Sequence, residues 1–242
     1  MNTQRGITLV ELMVAMVIGL FLMLGLGTMF YSMRTTSIAR QGLSALQDNE
    51  RMTMTFLGAS IQGAGSYPNA LTQNSAAQFP ASGVFAAGQT LSGSTGATPN
   101  TDSISVRFVT PLTGTTNIQG CAPNLTANTA YTDVFTVNTT SDTFVCTENA
   151  AVIPLVAGIA GVTSGAVVTN LAGIAGMSIL YGVDTTGTGS VTQYLPASST
   201  LNWSAVKTVS VTLLFNNPLA GQSGQVAATV AVTRVFPYMN GL

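Results

Sequence analysis

The pattern of apolar residues at the N-terminus predicts one long helix in two parts. Leu12 to Met33 is a run of 22 residues without a charge, and a helix of that length crosses a bilayer at about 1.5 Å per residue. After Arg34, apolar residues recur at mostly helical spacings, at Leu43, Leu46, Met52, Phe56, Leu57 and Ile61. Glycines at 63 and 65 and a proline at 68 form a stop signal. We therefore expect one helix, with a membrane half at 7–33 and a second half at 34–62.

The sequence after the helix changes to β-type patterns. Residues 66–101 carry no charge and are crowded with Ser, Gly, Ala, Asn, Thr and Pro, so we expect a long loop that Phe79 and Phe85 anchor. Period-two alternation of apolar and polar residues then predicts strands at 104–108, 131–137, 143–146, 209–215 and 226–232. The last two flank a Gly-rich turn at 221–224 and indicate a closing antiparallel hairpin.

A near repeat lies in an uncharged stretch between these strands. Residues 156–162 read Val-Ala-Gly-Ile-Ala-Gly-Val, and residues 171–177 read Leu-Ala-Gly-Ile-Ala-Gly-Met. A second membrane span is disfavoured because a proline, an asparagine and several glycines interrupt the stretch. We expect a short helix or a loop here, followed by a strand at 177–183.

Composition argues against catalysis and against nucleic-acid binding. The chain has no His, 7 Lys and Arg against 8 Asp and Glu, and only 6% charged residues. Without His, the Ser-His-Asp and Cys-His nucleophile systems and most zinc sites are excluded. No basic patch offers a surface for phosphates. We expect no catalytic residue, no metal site and no cofactor, and a neutral exterior rich in Ser, Thr, Asn and Gln.

One acidic turn has some features of a calcium-binding loop. Residues 184–189 read Asp-Thr-Thr-Gly-Thr-Gly, whereas calcium loops repeat carboxylates at alternate positions. Thr186 and Thr188 replace the other carboxylates, which leaves too little charge for a tight site. We interpret the segment as a glycine turn in which Asp184 caps backbone amides.

Glu11 is the anomaly of the N-terminal segment, because it places an acid at the entrance of the apolar run. A lone carboxylate in a membrane costs roughly 2.5 kcal/mol or more, so it needs a partner. Cleavage after Gly6 would leave an α-amino cation at Ile7, about one helical turn from Glu11. An amine and a carboxylate that meet in lipid neutralise each other. If the amine belongs to a neighbouring subunit, the pair sets the axial register of an assembly.

The segment from Arg5 to Met16 resembles the N-terminus of type IV prepilins. It reads Arg-Gly-Ile-Thr-Leu-Val-Glu-Leu-Met-Val-Ala-Met. In that family a membrane peptidase cuts after the glycine and methylates the new N-terminal residue, here Ile7, where Phe is more usual. The alternative, an ordinary signal anchor, is disfavoured because a secretory signal has its cleavage site after its apolar core rather than before it.

Cys121 and Cys146 lie 25 positions apart in a chain that this N-terminus sends out of the cytoplasm. An oxidising compartment and an even count of cysteines favour a disulfide, and closing such a loop adds about 3 kcal/mol in the chain-entropy model. Two free buried thiols are the alternative. A metal site is disfavoured because the soft-ligand clusters that zinc prefers are absent.

The second half of the chain resembles the PilW family of minor pilins. The resemblance lies in Leu-Tyr-Gly-Val-Asp at 180–184, followed by a Gly-rich turn and by Trp203 and Val206 before a strand. It extends to Asn-Glu-Arg at 49–51, to Gly-Ala-Gly at 63–65 and to the two mid-chain cysteines. In that family the products are low-abundance components that help to prime pilus assembly and lie toward the tip.

Together the residues and the resemblances imply an α+β pilin-like fold with a long N-terminal transmembrane and spine helix packed on an antiparallel β-sheet head. The expected organisation is a leader at 1–6, the two helix halves, and a β-rich head at 63–242. The chain is expected in the inner membrane as a single-pass protein with its head in the periplasm, and then in a cell-surface pilus.

The resemblances also imply the partners and the alternatives. The expected partners are other major and minor pilins, the prepilin peptidase and methyltransferase, and inner-membrane lipid before assembly; no nucleic acid is expected. The function implied is assembly, as a priming or tip component. A pseudopilin of a type II secretion system and a pilus-borne adhesin, with residues 66–101 as its contact surface, are the alternatives. An exported enzyme is the weakest reading, because no acid, base and nucleophile converge.

The cleavage motif gives the first prediction. We expect the mature chain to begin at Ile7 and to carry one added methyl group on its α-amine, because the spacing of Gly6, Ile7 and Glu11 fits the motif. Mass spectrometry of the N-terminal peptide, purified from the native host, measures both. A mature chain that keeps residues 1–6, or one cut after the apolar run, would contradict the prediction.

Overall fold

The computed structural model describes residues 8–68, 70–111, 120–122, 125–148, 150–163, 166–220 and 227–239. The chain divides into two compact units, Met1–Gln41 and Gly42–Leu242. Helix α1, Leu9–Gly63, contributes to both and confirms the predicted long N-terminal helix. Thr8 caps its first turn, since its hydroxyl accepts a hydrogen bond from the Glu11 amide at 3.4 Å.

In the first unit, the described residues form the apolar part of α1. Eighteen large apolar side chains lie between Leu9 and Met33, and each of them is more than half exposed. The helix is long and apolar enough to cross a membrane. The only acid in this stretch is Glu11, in the first turn.

In the second unit, the described residues after α1 form antiparallel strands with two short helical segments. In chain order the elements are α2 Ser75–Gln78, β1 Leu91–Ser94, β2 Ser103–Val109, β3 Ala130–Asn138, β4 Thr143–Glu148, β5 Ala151–Val156, β6 Ile159–Thr163, β7 Ala166–Leu171, β8 Ile174–Val183, β9 Gln193–Leu195, a 3₁₀ turn Trp203–Ala205, β10 Val206–Asn216 and β11 Thr229–Pro237. One sheet has the order β1-β2-β3-β4-β5, another has the order β11-β10-β8-β9, and β6 and β7 form a ribbon. The predicted combination of a long helix with antiparallel sheets is confirmed.

A single hydrophobic core joins the C-terminal part of α1 to the two larger sheets. The helix contributes Leu46, Met54, Leu57 and Ile61, and the last three are fully buried. The five-stranded sheet adds Ile104, Phe135 and Phe144, and the four-stranded sheet adds Ile179, Val211 and Phe215. Burial of each such side chain stabilises the fold by roughly 1.5–3 kcal/mol. The inward positions of β2 and β10, such as Ile104, Val106, Val209 and Val211, are the ones that the alternation of the sequence predicts.

The segment 66–101 is more regular than its composition predicts. It contains α2 and β1, and β1 pairs with β2 from Leu91↔Val106 to Ser94↔Ser103. The alternation of apolar and polar residues does not predict this strand, because Ser and Gly occupy positions where apolar residues are expected. Gly93 is required by packing, because a side chain there would collide with the Tyr181 hydroxyl.

Arg107 holds the rest of this segment in place. Its guanidinium carbon lies 5.4 Å from the centre of the Phe79 ring and 5.2 Å from that of Phe85, and a guanidinium N–H donates to the Pro80 carbonyl at 3.0 Å. Both rings are buried, as expected of anchors. The alternating pattern places Arg107 on the outer face of β2, but the two rings cover it, and burial lowers the pKa of its guanidinium.

The near repeat forms strands, so the expected short helix or loop is wrong. Its first copy covers the end of β5 and most of β6, and its second copy covers the end of β7 and the start of β8. Small Ala and Gly residues hide the period-two signal, whereas the backbone pairing of β6 with β7 is regular apart from one register shift. Strand β11 begins at Thr229, later than the predicted 226, and the turn at 221–224 and Val226 lie outside the described residues.

Gly42 gives a prediction about packing in the second unit. A methyl group added there would lie 2.5 Å from Pro218 Cβ. Gly→Ala in a helix favours folding by about 1 kcal/mol, but overpacking costs about 1–3 kcal/mol. We expect Gly42→Ala to lower the free energy of unfolding by ~1 kcal/mol, measured by denaturant titration of the full chain in detergent micelles with Trp203 fluorescence.

Gly25→Ala is the matched control, because its added methyl group meets nothing within 4 Å. It should leave the unfolding of the second unit unchanged. A Gly42→Ala chain that is as stable as the wild type, or more stable, would show that Pro218 moves aside at no cost.

Candidate functional site

The structure places one of the three predicted assembly residues. Glu11 lies exposed in the first turn of α1, where a carboxylate is favoured by the positive end of the helix dipole. Gly6 and Ile7, the predicted cleavage and methylation residues, lie outside the described residues. The pairing of Glu11 with the Ile7 amine therefore stays a prediction.

Residues 49–51 fix α1 within the second unit. The Asn49 amide donates to the Ala172 carbonyl at 3.0 Å and to the Ala157 carbonyl at 3.3 Å, two carbonyls of the chain around the β6–β7 ribbon. The neighbouring Glu50 lies 3.6 Å from the Arg234 guanidinium of β11. Partial exposure makes this ion pair worth little, about 0–1 kcal/mol. The two hydrogen bonds from the Asn49 side chain therefore hold this part of α1 in place.

The structure contains the predicted disulfide between Cys121 and Cys146, whose Cα atoms are 6.3 Å apart. Cys146 is fully buried on β4 and stands opposite Phe135 of β3. Cys121 lies in the segment before β3 and is partly exposed. The bond therefore ties that segment to the inward face of the five-stranded sheet.

Two buried carboxyl groups lie next to the disulfide, and the sequence patterns did not predict them. Asp133 and Glu148 face each other directly across β3 and β4, with 0% and 2% of their surface exposed. Glu148 Oε2 accepts a hydrogen bond from the Ala122 amide at 2.9 Å. Asp133 Oδ1 and Glu148 Oε1 have no hydrogen-bond partner in the described part of the chain. The signal available in the sequence was the position of both acids at inward sites of alternating strands.

The pKa of Asp133 is raised from its ordinary value to about 8. Burial is the largest cause, followed by the charge of the neighbouring Glu148 carboxylate. No Lys or Arg among the described residues is paired with either acid. Asp133 therefore holds a proton at neutral pH.

The side chains of Cys121, Cys146 and Asp133 are poorly suited to bind a metal while the disulfide is closed. The two cysteine sulfurs and a carboxylate oxygen of Asp133 lie within 4.8 Å of one another. Because the sulfurs are bonded to each other, they do not offer the thiolates that soft metals bind.

The Asp184 turn has the capping arrangement that the sequence predicts. The carboxylate accepts hydrogen bonds from the amides of Thr186, Gly187 and Gly189 at 2.6–3.0 Å, and from the Thr186 hydroxyl at 3.1 Å. Desolvation alone would raise the pKa of Asp184, but these hydrogen bonds outweigh it and lower the pKa. The carboxylate oxygens are thus already occupied by donors within the turn.

The Asp133–Glu148 pair predicts how stability depends on pH. The folded chain holds a proton on Asp133 that the unfolded chain has lost above about pH 4. The free energy of unfolding should therefore fall as pH rises between about 4 and 8, with a contribution of about 1.4 kcal/mol per pH unit for one proton. Above the raised pKa this contribution stops changing.

Asp133→Asn should remove that slope, because an amide carries no proton that titrates. The measurement is denaturant unfolding of wild type and variant between pH 5 and 9, with the disulfide intact. Asp48→Asn, at an exposed site on α1, is the control and should keep the slope. Equal slopes for Asp133→Asn and wild type would contradict the assignment of the proton.

Comparisons with known proteins agree with the two sequence resemblances. Residues 1–27 match the prokaryotic N-terminal methylation motif, and residues 134–237 match the type IV pilus-assembly protein W family, PilW. The PilW match begins within β3 and ends with β11. It therefore includes Cys146, Glu148 and the Asp184 turn, while Asp133 immediately precedes it.

Two similar proteins come from Thermus thermophilus. The chain is 42% identical over 80 residues to pilin-like protein PilA3, and the match covers 32% of this chain and 34% of that protein. A solved type IV-like pilin aligns with 81% of this chain and 96% of its own length, with 13% identity and a TM-score of 0.46. The chain thus combines a match to the prokaryotic N-terminal methylation motif at residues 1–27 with a match to the PilW family at residues 134–237.

Proposed function

We propose that the chain is a minor pilin that takes part in type IV pilus assembly as a priming or tip component. The single observation that carries the proposal is the methylation motif at residues 1–27, which runs into an apolar helix segment, residues 9–33, whose large side chains are each more than half exposed. Such a surface needs lipid before assembly and other apolar helices afterwards. The PilW match supports a role in the pilus itself.

In this proposal the helix first anchors the chain in the inner membrane, with the β-rich part in the periplasm. The prepilin peptidase cuts after Gly6 and the Ile7 amine is methylated. The helix then leaves the bilayer and packs with the helices of major and minor pilins. The sequence has no excess of positive charge to recruit nucleic acid, with seven Lys and Arg against eight Asp and Glu in 242 residues.

Glu11 sets the register in this proposal. In a filament core without lipid or water, the methylated amine of one subunit and the Glu11 carboxylate of another neutralise each other. Removal of one partner from a buried ion pair costs about 3–5 kcal/mol, and each 1.4 kcal/mol is tenfold in an equilibrium constant. The folding of the β-rich part should not depend on Glu11, because the buried core of the second unit is built from residues between Leu46 and Tyr238.

Glu11→Ala tests the proposal. We expect the variant to reach the membrane at the wild-type level or above, because the substitution removes a costly charge from the apolar segment. We expect its amount in sheared pili to fall at least tenfold, and the melting temperature of the second unit to stay unchanged. Immunoblots of membrane and sheared-pilus fractions, with melting curves of the purified chains, give the three readings.

Glu50→Ala is the matched control, since it removes a Glu from the same helix at a weak surface ion pair. Its incorporation into pili should match that of the wild type. Equal incorporation of Glu11→Ala at equal membrane level would defeat the register role. A wild-type chain that is recovered with a type II secretion apparatus and never in pili would favour the pseudopilin alternative.

A further inference from the structure

The disulfide, Asp133 and Glu148 form one buried cluster whose geometry suggests proton transfer. Asp133 Oδ2 lies 3.4 Å from Cys121 Sγ, and the carboxyl group is completely buried. Its other oxygen, Oδ1, has no hydrogen-bond partner in the described residues. Cys121 is partly exposed while Cys146 is fully buried. Cys121 is therefore the sulfur that an external reagent reaches first.

We propose that Asp133 is the proton acceptor that ionises the Cys121 thiol when the Cys121–Cys146 disulfide forms. A thiol reacts with a disulfide only as its thiolate. With a pKa of about 8, roughly a tenth of Asp133 is ionised at pH 7, and this fraction grows as pH rises. The ionised carboxylate, at contact distance from the sulfur, takes that proton locally, as a general base does. The role concerns oxidative maturation of the folded chain and is independent of assembly into pili.

The chemistry balances with one external disulfide as the oxidant. Cys121 gives its proton to Asp133, and its thiolate attacks the oxidant, so that one sulfur of the oxidant leaves as a thiolate and the other stays bonded to Cys121. Cys146 then loses its proton, and its thiolate attacks Cys121 Sγ. The mixed disulfide breaks, the second half of the oxidant leaves as a thiol that carries the Cys146 proton, and two cysteines have lost two electrons.

The product of this sequence is the arrangement that the structure contains. The disulfide is closed, and the proton taken from Cys121 stays on Asp133, where burial and Glu148 hold it. The titratable groups on the strands around Asp133 are Glu148 on β4, the two cysteines, and Tyr131 two residues earlier on β3, whose hydroxyl accepts from the Thr126 amide. Arg107 on β2 is paired opposite Thr132 and lies under Phe79 and Phe85 instead.

The electrostatic alternative predicts the opposite sign, which makes the proposal testable. A carboxylate that only sits near a thiol disfavours the thiolate and slows its reaction, because like charges repel. Removal of Asp133 would then speed up Cys121. If Asp133 is a proton acceptor, its removal slows the reaction of Cys121 instead. General-base assistance is typically worth about 10²–10⁴-fold in rate.

The experiment isolates Cys121 in the full chain with Cys146→Ser, in detergent micelles, and measures its rate of reaction with glutathione disulfide between pH 6 and 9 by mass spectrometry. Adding Asp133→Asn should slow the reaction at least tenfold at pH 7. Adding Asp48→Asn, an exposed Asp on α1, should change nothing. Near-ultraviolet circular dichroism of Trp203 verifies that each variant is folded. An Asp133→Asn rate that equals or exceeds that of the parent would overturn the proposal.

Glu148→Gln gives a second reading if Asp133→Asn does not fold. It removes the charge that raises the proton affinity of Asp133, so the rise of rate with pH should shift to lower pH. A structural role for Glu148 would not move the pH profile. A profile unchanged in position would therefore also overturn the proposal.

Discussion

The apolar surface of the first unit is the constraint on which the rest of the account depends. Eighteen large apolar side chains from Leu9 to Met33 are each more than half exposed, and each gains roughly 1.5–3 kcal/mol when it is fully removed from water. Such a segment is stable only in a bilayer or against other apolar helices. A single carboxylate, Glu11, interrupts this surface, and a charge in that environment requires a partner of opposite sign.

The second unit meets a different requirement, because few charges are available to specify its fold. Close packing and backbone hydrogen bonds take their place: Gly42 lies against Pro218, Asn49 binds two carbonyls, and Arg107 lies between two phenylalanine rings. The disulfide ties the segment before β3 to β4, where Asp133 lies opposite Glu148. Each of these contacts fills space or satisfies a polar group within the second unit and does not require charged residues on its surface.

The sequence predicts the elements in which apolar residues recur periodically, and it does not predict those built from small residues. The long helix and strands such as β2, β3 and β10 follow from apolar spacing, and the N-terminal resemblance agrees with the methylation motif matched at residues 1–27. Strand β1 and the β6–β7 ribbon were missed because Gly, Ser and Ala give no alternation, while the pairing of their backbones depends on distant partners. The Asp133–Glu148 pair was missed for a related reason: burial of an acid depends on strand register, which one strand alone does not reveal.

Quantitative mass spectrometry of sheared, washed pili tests the central claim most directly. Isotope-labelled peptides from this chain and from the major pilin give the ratio of the two proteins in the filament. A priming or tip component should be present in the filaments at a small fraction of the major pilin, with its N-terminus at a methylated Ile7. Filaments that lack the chain altogether, while the membrane retains all of it, would contradict the account.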